Sequence, residues 1–262
     1  MLERHPSAAA AIVAIGLNTF REAIRDRVLY LLLVFALIII GVSRLLSLLT
    51  VGDEEKIIKD VGLSAISLFG VLTAVFVGVS LVFKEIERRT VYTLLAQPVH
   101  RSHFLFGKFL GLFAVLLLNV GLMSAALFAL LFFRGAAPWS LLPAVLLIAV
   151  ELAIVTAFAL LFSSLTNPVL SSVWTFAVYV AGHLSWSLLT LREKVPEGFA
   201  RWVCDALYWV LPNLKRLDLK AQVVHGAEMP DAYVALAATY GLGYAAVIVA
   251  LACWAFSRKE FL

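Results

Sequence analysis

Six stretches of this chain are each long and apolar enough to cross a hydrocarbon layer: Val28–Val51, Val61–Phe83, Phe109–Phe133, Trp139–Phe162, Pro168–Thr190 and Tyr233–Phe256. A bilayer core about 30 Å thick needs about 20 helical residues to span it. Composition agrees: 63% of the 262 residues are hydrophobic and 15% charged, against about 45–50% apolar and roughly 25% charged in soluble domains. The mean hydropathy is +0.98. Lipid offers no partner to backbone N–H and C=O groups, and the alternating pattern of a membrane barrel is absent, so the spans are helices. The expected fold is an all-α polytopic membrane protein, a single transmembrane unit over residues 1–262 with six spans.

The basic residues set an expected orientation. With the N-terminus inside, segments 1–27, 84–108, 163–167 and 257–262 face the cytoplasm and hold 11 Lys and Arg, while the outer loops 52–60 and 134–138 hold three. The positive-inside rule then puts both termini on the cytoplasmic side of the membrane. The longer outer segment 191–232 adds six basic residues but also six acidic ones, and long loops weigh less in the rule.

Ahead of the first span, Val13, Leu17, Phe20, Ile24 and Val28 share one helical face and Asn18, Arg21, Glu22 and Arg25 the other. This predicts an amphipathic interfacial helix, either a simple anchor or a docking surface. It is no removable leader, because Arg21–Arg27 is charged and a full-length span follows. Cys204 and Cys253 fall at different bilayer levels and are not expected to pair. The sequence holds no metal-ligand cluster, no phosphate-binding loop and no nucleophile motif. Neither catalytic nor metal-binding residues are expected, and no cofactor is expected on this chain.

The densest polar stretch is Lys84–Lys108, KEIERRTVYTLLAQPVHRSHFLFGK, between spans two and three. Glu85 stands three and four residues before Arg88 and Arg89, a helix-supporting spacing, while Ile86, Val91, Leu94 and Leu95 form a short apolar stripe. Pro98 disfavours helix at Gln97 and ends it. Ser102 is the expected N-cap of span three, with Lys108 snorkelling to the headgroups. A basic loop lying on anionic lipid accounts for these charges but leaves Leu94 and Leu95 unexplained.

Glu151 lies near the middle of the fourth window, where insertion of an acid costs about 2.5–3.5 kcal/mol, so it must face protein or a water-filled cavity. It is a structural carboxyl or a functional one. His183, beside Gly182, is expected as a packing histidine, with a proton relay as the alternative, and Arg44 snorkels from its span's outer end. At the turn 163–167, Asn167 or Thr166 caps the next helix, with Pro168 in its first turn. In the outer segment, Phe199, Trp202, Val203, Ala206, Leu207 and Val210 recur at helical spacing. A helix lying in or dipping into the outer leaflet is expected there, then Pro212 and a second short helix ending near Gly226.

EIERRTVYTLLAQPVHRSHFLFGKFLG resembles the segment between the second and third spans of ATP-binding-cassette (ABC) exporter permeases of the second type (type V fold). FREAIRDRVLYLLL resembles that family's connecting helix and first span, and ELAIVTAFALLFSSLTNPVLSSV its fourth span, inner turn and fifth span. LPNLKRLDLK is similar to the branch that includes nitrous-oxide-reductase maturation permeases. The resemblance implies an exporter subunit, paired with a second permease copy (itself or a close paralogue) and with two cytoplasmic ABC ATPase subunits that bind the ATP and Mg. Glu85–Gln97 would be a coupling helix seated in the ATPase, with Glu85, Glu87, Arg88 and Thr90 as polar contacts and Leu94 and Leu95 packing it. Phe20, Arg21 and Arg25 would form a second docking contact, and Glu151 and His183 would be candidates for the translocation path. The resemblance implies a bilayer and protein partners, with no nucleic acid. The alternative is a non-transporting membrane anchor or assembly protein that recruits a cytoplasmic partner.

Overall fold

The computed structural model describes residues 8–47, 53–87, 101–185, 198, 201–202, 205, 208, 210–227 and 230–258. In chain order the helices are α1 (Ala8–Ile24), α2 (Arg27–Ser47), α3 (Glu54–Glu87), α4 (Arg101–Phe132), α5 (Leu142–Leu165, entered through a 3₁₀ turn at Pro138–Leu141), α6 (Pro168–His183), α7 (Lys220–Val224, after a 3₁₀ turn at Leu214–Arg216) and α8 (Asp231–Arg258). Among the described residues, five helical stretches are long and apolar enough to cross a membrane: Arg27–Ser47, Glu54–Leu81, Ser102–Phe132, Pro138–Leu165 and Asp231–Arg258. The remaining window, Pro168–Thr190, contains α6, whose 16 residues rise about 24 Å. Beyond residue 185 that window lies outside the described residues.

Helix α5 is the hub. It is apolar on every side, as a helix enclosed by others must be, and 16 of its 24 residues are buried. It packs against α3, α4, α6 and α8. Helix α2 buries one line, Leu29, Leu32, Ala36, Ile40, Ser43 and Ser47, against α3, and turns Leu31, Val34, Phe35 and Ile38 outward. Lipid tails are as apolar as leucine, so helix association here rests on close packing and buried polar links. One such link is the bond from Asn119 Nδ2 in α4 to Thr73 Oγ1 in α3, at 3.2 Å.

Helix α3 begins seven residues before the predicted window, because the polar turn 54–60 is itself helical. Glu54 and Glu55 favour its positive N-terminal end, and ion pairs tie Lys56 to Asp53 and Lys59 to Glu55. At the other boundary, α4 starts at Arg101, which puts Ser102 inside the first turn instead of at the N-cap. Lys108 also departs from expectation. It does not snorkel: it is only 1% exposed, donates to Leu81 O of α3 at 3.3 Å and lies over the Phe104 ring. The expected cap at the α5–α6 turn is present, with Asn167 Oδ1 accepting from Leu170 N at 2.9 Å and Pro168 following it.

The amphipathic stripe of α1 divides. Val13 and Leu17 are 59% and 50% exposed, on a face suited to lipid, while Phe20 and Ile24 pack partly against the neighbouring core. The tightly packed face is a line of small residues, Gly16, Thr19 and Ala23, laid on Gly107 and Gly111 of α4. A Cβ on Gly107 would sit 2.9 Å from Ile12 O, and one on Gly111 would lie 2.7 Å from Thr19 Cβ. Backbones approach this closely only across glycine. Gly111→Leu should therefore push α1 off α4, an overpacking cost of about 1–3 kcal/mol or more, read as a markedly shorter half-life at elevated temperature in detergent. An unchanged half-life would mean that α1 contributes nothing to the assembled bundle.

Candidate functional site

A buried polar group lies where α5, α6 and a folded-in segment meet. Glu151 of α5 is 1% exposed. His183, the last residue of α6, places Nε2 3.4 Å from Glu151 Oε1, yet neither Glu151 oxygen nor His183 Nε2 has a hydrogen-bond partner among the described residues. The opposite ring nitrogen, Nδ1, faces Tyr179 O at 3.3 Å. A carbonyl only accepts, so Nδ1 carries a hydrogen, and Nε2 of the neutral ring is then an acceptor facing another acceptor. The Tyr179 ring packs beside the imidazole, centroids 4.7 Å apart. His183 is therefore not the satisfied packing histidine that the sequence suggests.

Residues 212–227 fold back into the bundle, and the second short helix expected before Gly226 is present as Lys220–Val224. Leu214, Leu217, Leu219, Val223 and Val224 join the main core. Gly182 of α6 makes room: a Cβ there would sit 2.9 Å from Pro212 O and 2.8 Å from Leu214 Cγ. Hydrogen bonds stitch the segment to α8, from Asn213 N to Tyr240 Oη at 3.0 Å and from Tyr233 Oη to Arg216 O at 3.1 Å. Gly226, at φ 72°, closes α7 in the left-handed conformation that glycine adopts freely.

This segment carries the charges nearest the pair. Lys220 Nζ donates to Ser67 Oγ of α3 at 3.2 Å and lies 3.7 Å from Asp218 Oδ1. Lys215 pairs with the other Asp218 oxygen at 3.1 Å. Burial pushes the Asp218 carboxyl up, but Lys220 and Lys215 more than offset it and hold it below the usual carboxylate range. The arrangement can hold a proton and orient a cation. Among the described residues no group of His, Cys, Asp and Glu is placed to hold a metal ion.

The other predicted contacts are dispersed. Arg21 is exposed on α1, Arg25 is exposed in the turn that follows it, and Phe20 is half-buried. Glu85 and Glu87 fall in the last turn of α3, while Arg88, Thr90, Leu94 and Leu95 lie outside the described residues, as does Cys204. Cys253 is free and half-buried in α8.

Compared with protein families, residues 13–261 match the model of the ABC-2 family transporter proteins. The chain belongs to this family. It is thus a multi-pass membrane permease component of an ABC transporter, a component without an ATPase site of its own, in a family that works with a cytoplasmic ABC ATPase. No curated protein matches the permease significantly. Sequence reasoning missed Lys220 and Asp218 as charges acting on Glu151. The one signal for them was the run of charges in LPNLKRLDLK directly ahead of an apolar span.

Proposed function

We propose that the permease is the membrane subunit of an ATP-driven exporter of six spans, two permeases assembling with two ATPase subunits in the inner membrane with both termini cytoplasmic. The observation that carries this reading is the family match over residues 13–261, on a chain whose densest polar stretch joins two of its longest apolar helices. In this reading Glu85–Gln97 is the coupling helix, and Phe20, Arg21 and Arg25 add a second contact. Glu151 and His183 border the translocation path, and the end bearing residues 53–60 and 212–227 is extracytoplasmic. ATP and Mg bind the partner. The LPNLKRLDLK stretch supports the branch with the nitrous-oxide-reductase maturation permeases.

Reconstitution tests it. The purified permease alone should hydrolyse no ATP, since its expected cytoplasmic stretches, 1–27 and 84–108, are each far below the ~50 residues of a minimal domain. Co-expressed with a cognate cytoplasmic ABC ATPase, it should be recovered as a complex whose ATP turnover in liposomes exceeds that of the ATPase alone. Hydrolysis by the permease alone would overturn the subunit reading. A complex whose turnover the permease leaves unchanged would favour an anchor over an exporter.

A further inference from the structure

The Glu151–His183 pair has a geometry that ordinary packing does not explain. Two acceptors face each other at 3.4 Å, enclosed by protein, and such a contact is favourable only when a proton lies between them. The pair thus has three charge states. With no shared proton it carries one negative charge, with one it is neutral, and with two it carries one positive charge.

The groups around it decide what those states do. Lys220 and Asp218 act electrostatically on both members, and Lys215 on His183. Helix α6 contributes the Tyr179 hydroxyl, which lies beside Ser67. Helix α3 contributes the uncharged Ser67, and α8 the hydroxyls of Tyr240 and Tyr244, bonded at Asn213 N and Val210 O. Among the described residues, the cation held between the segment and a span by a hydrogen bond is Lys220, through Ser67. Its charge is only partly offset, because Asp218 is shared with Lys215.

We propose that Glu151 and His183 form a proton-binding site, and that the number of protons it holds sets how firmly residues 212–227 are seated among α3, α5, α6 and α8. Unprotonated, the pair attracts Lys220 and seats the segment. Doubly protonated, it repels Lys220 and releases it. The Asp218 carboxyl, held below its usual range by its two lysines, stays ionised throughout, so the change in charge arises at the pair. The inference concerns the chain's own residues and is independent of whether cargo passes them.

Pulsed electron spin resonance on the full chain in lipid nanodiscs tests it. Nitroxides are placed at Gln222→Cys on α7 and Ser257→Cys at the far end of α8, in a Cys204→Ser/Cys253→Ser background. Between about pH 8 and about pH 4.5, a window that reaches well below the ordinary histidine range, a second and longer distance should grow by at least about tenfold relative to the first, the scale of one unit of charge acting over several ångströms. Glu151→Gln/His183→Gln and, separately, Lys220→Gln should each give one distribution at both pH values. Lys220→Gln keeps a donor for Ser67 and leaves the enclosed pair intact, so it carries the test if the double variant fails to assemble. A wild-type distribution indifferent to pH would overturn the proposal, as would a pH response that survives in Lys220→Gln.

Discussion

Replacing Leu94 and Leu95 together by aspartate is expected to abolish recovery of the ATPase with the permease while leaving insertion into the membrane unchanged. Both positions lie in the stretch between α3 and α4, outside every apolar window. If they pack the coupling helix, two carboxylates there must give up water for an apolar contact, at roughly 2 kcal/mol or more each. Each 1.4 kcal/mol is about tenfold in affinity, so association would fall by more than about a hundredfold and escape affinity purification. The measurement is the ratio of ATPase to permease after pull-down, with wild type alongside. An undiminished ratio would place the segment against lipid and move the docking contact elsewhere.

The second large effect is expected at Glu151. Glu151→Gln preserves shape and can donate to His183 Nε2. Glu151→Leu removes the partner altogether and leaves Nε2 enclosed by protein at a cost of about 1–3 kcal/mol. Both variants should still assemble with the ATPase, because the pair lies far from Glu87 and the charged stretch after it. In liposomes, ATP turnover by either complex should fall by on the order of tenfold, the factor that 1.4 kcal/mol in the limiting step produces. Wild-type turnover from both would remove Glu151 from the translocation path and leave it a tie between helices.

How much of this was legible in the sequence depended on whether the cause was local. Asn167 was readable as a cap because capping is decided within three residues, by an amide oxygen and the N–H it meets. The enclosure of Glu151 was readable as well, because no partner need be known to see that a mid-span acid cannot face lipid. Its partner was not, since His183 lies 32 residues away on another helix, and local pattern carries no information about which helices meet. Lys108 failed for the same reason. Its place in the first turns of α4 suggested snorkelling, but the Leu81 carbonyl that receives it belongs to α3. On α1 the apolar stripe was seen and the contact face missed. Hydrophobic periodicity finds the side that prefers lipid, and the tight face is marked only by the small residues Gly16 and Thr19 and by Gly107 and Gly111 opposite.

Helix α3 runs without a break from Glu54 to Glu87, a rod about 51 Å long. One end leads into the charged stretch assigned to the ATPase; about 30 Å further along stands Ser67, the acceptor of Lys220. Such a rod is a lever. A tilt of about 5° pivoting at its Glu87 end would carry Ser67 through about 2–3 Å, comparable to the length of the bond it makes and enough to break it. A small change of tilt at the charged stretch would thus be read out about 30 Å away as a bond made or lost, with no moving part between them except the helix itself.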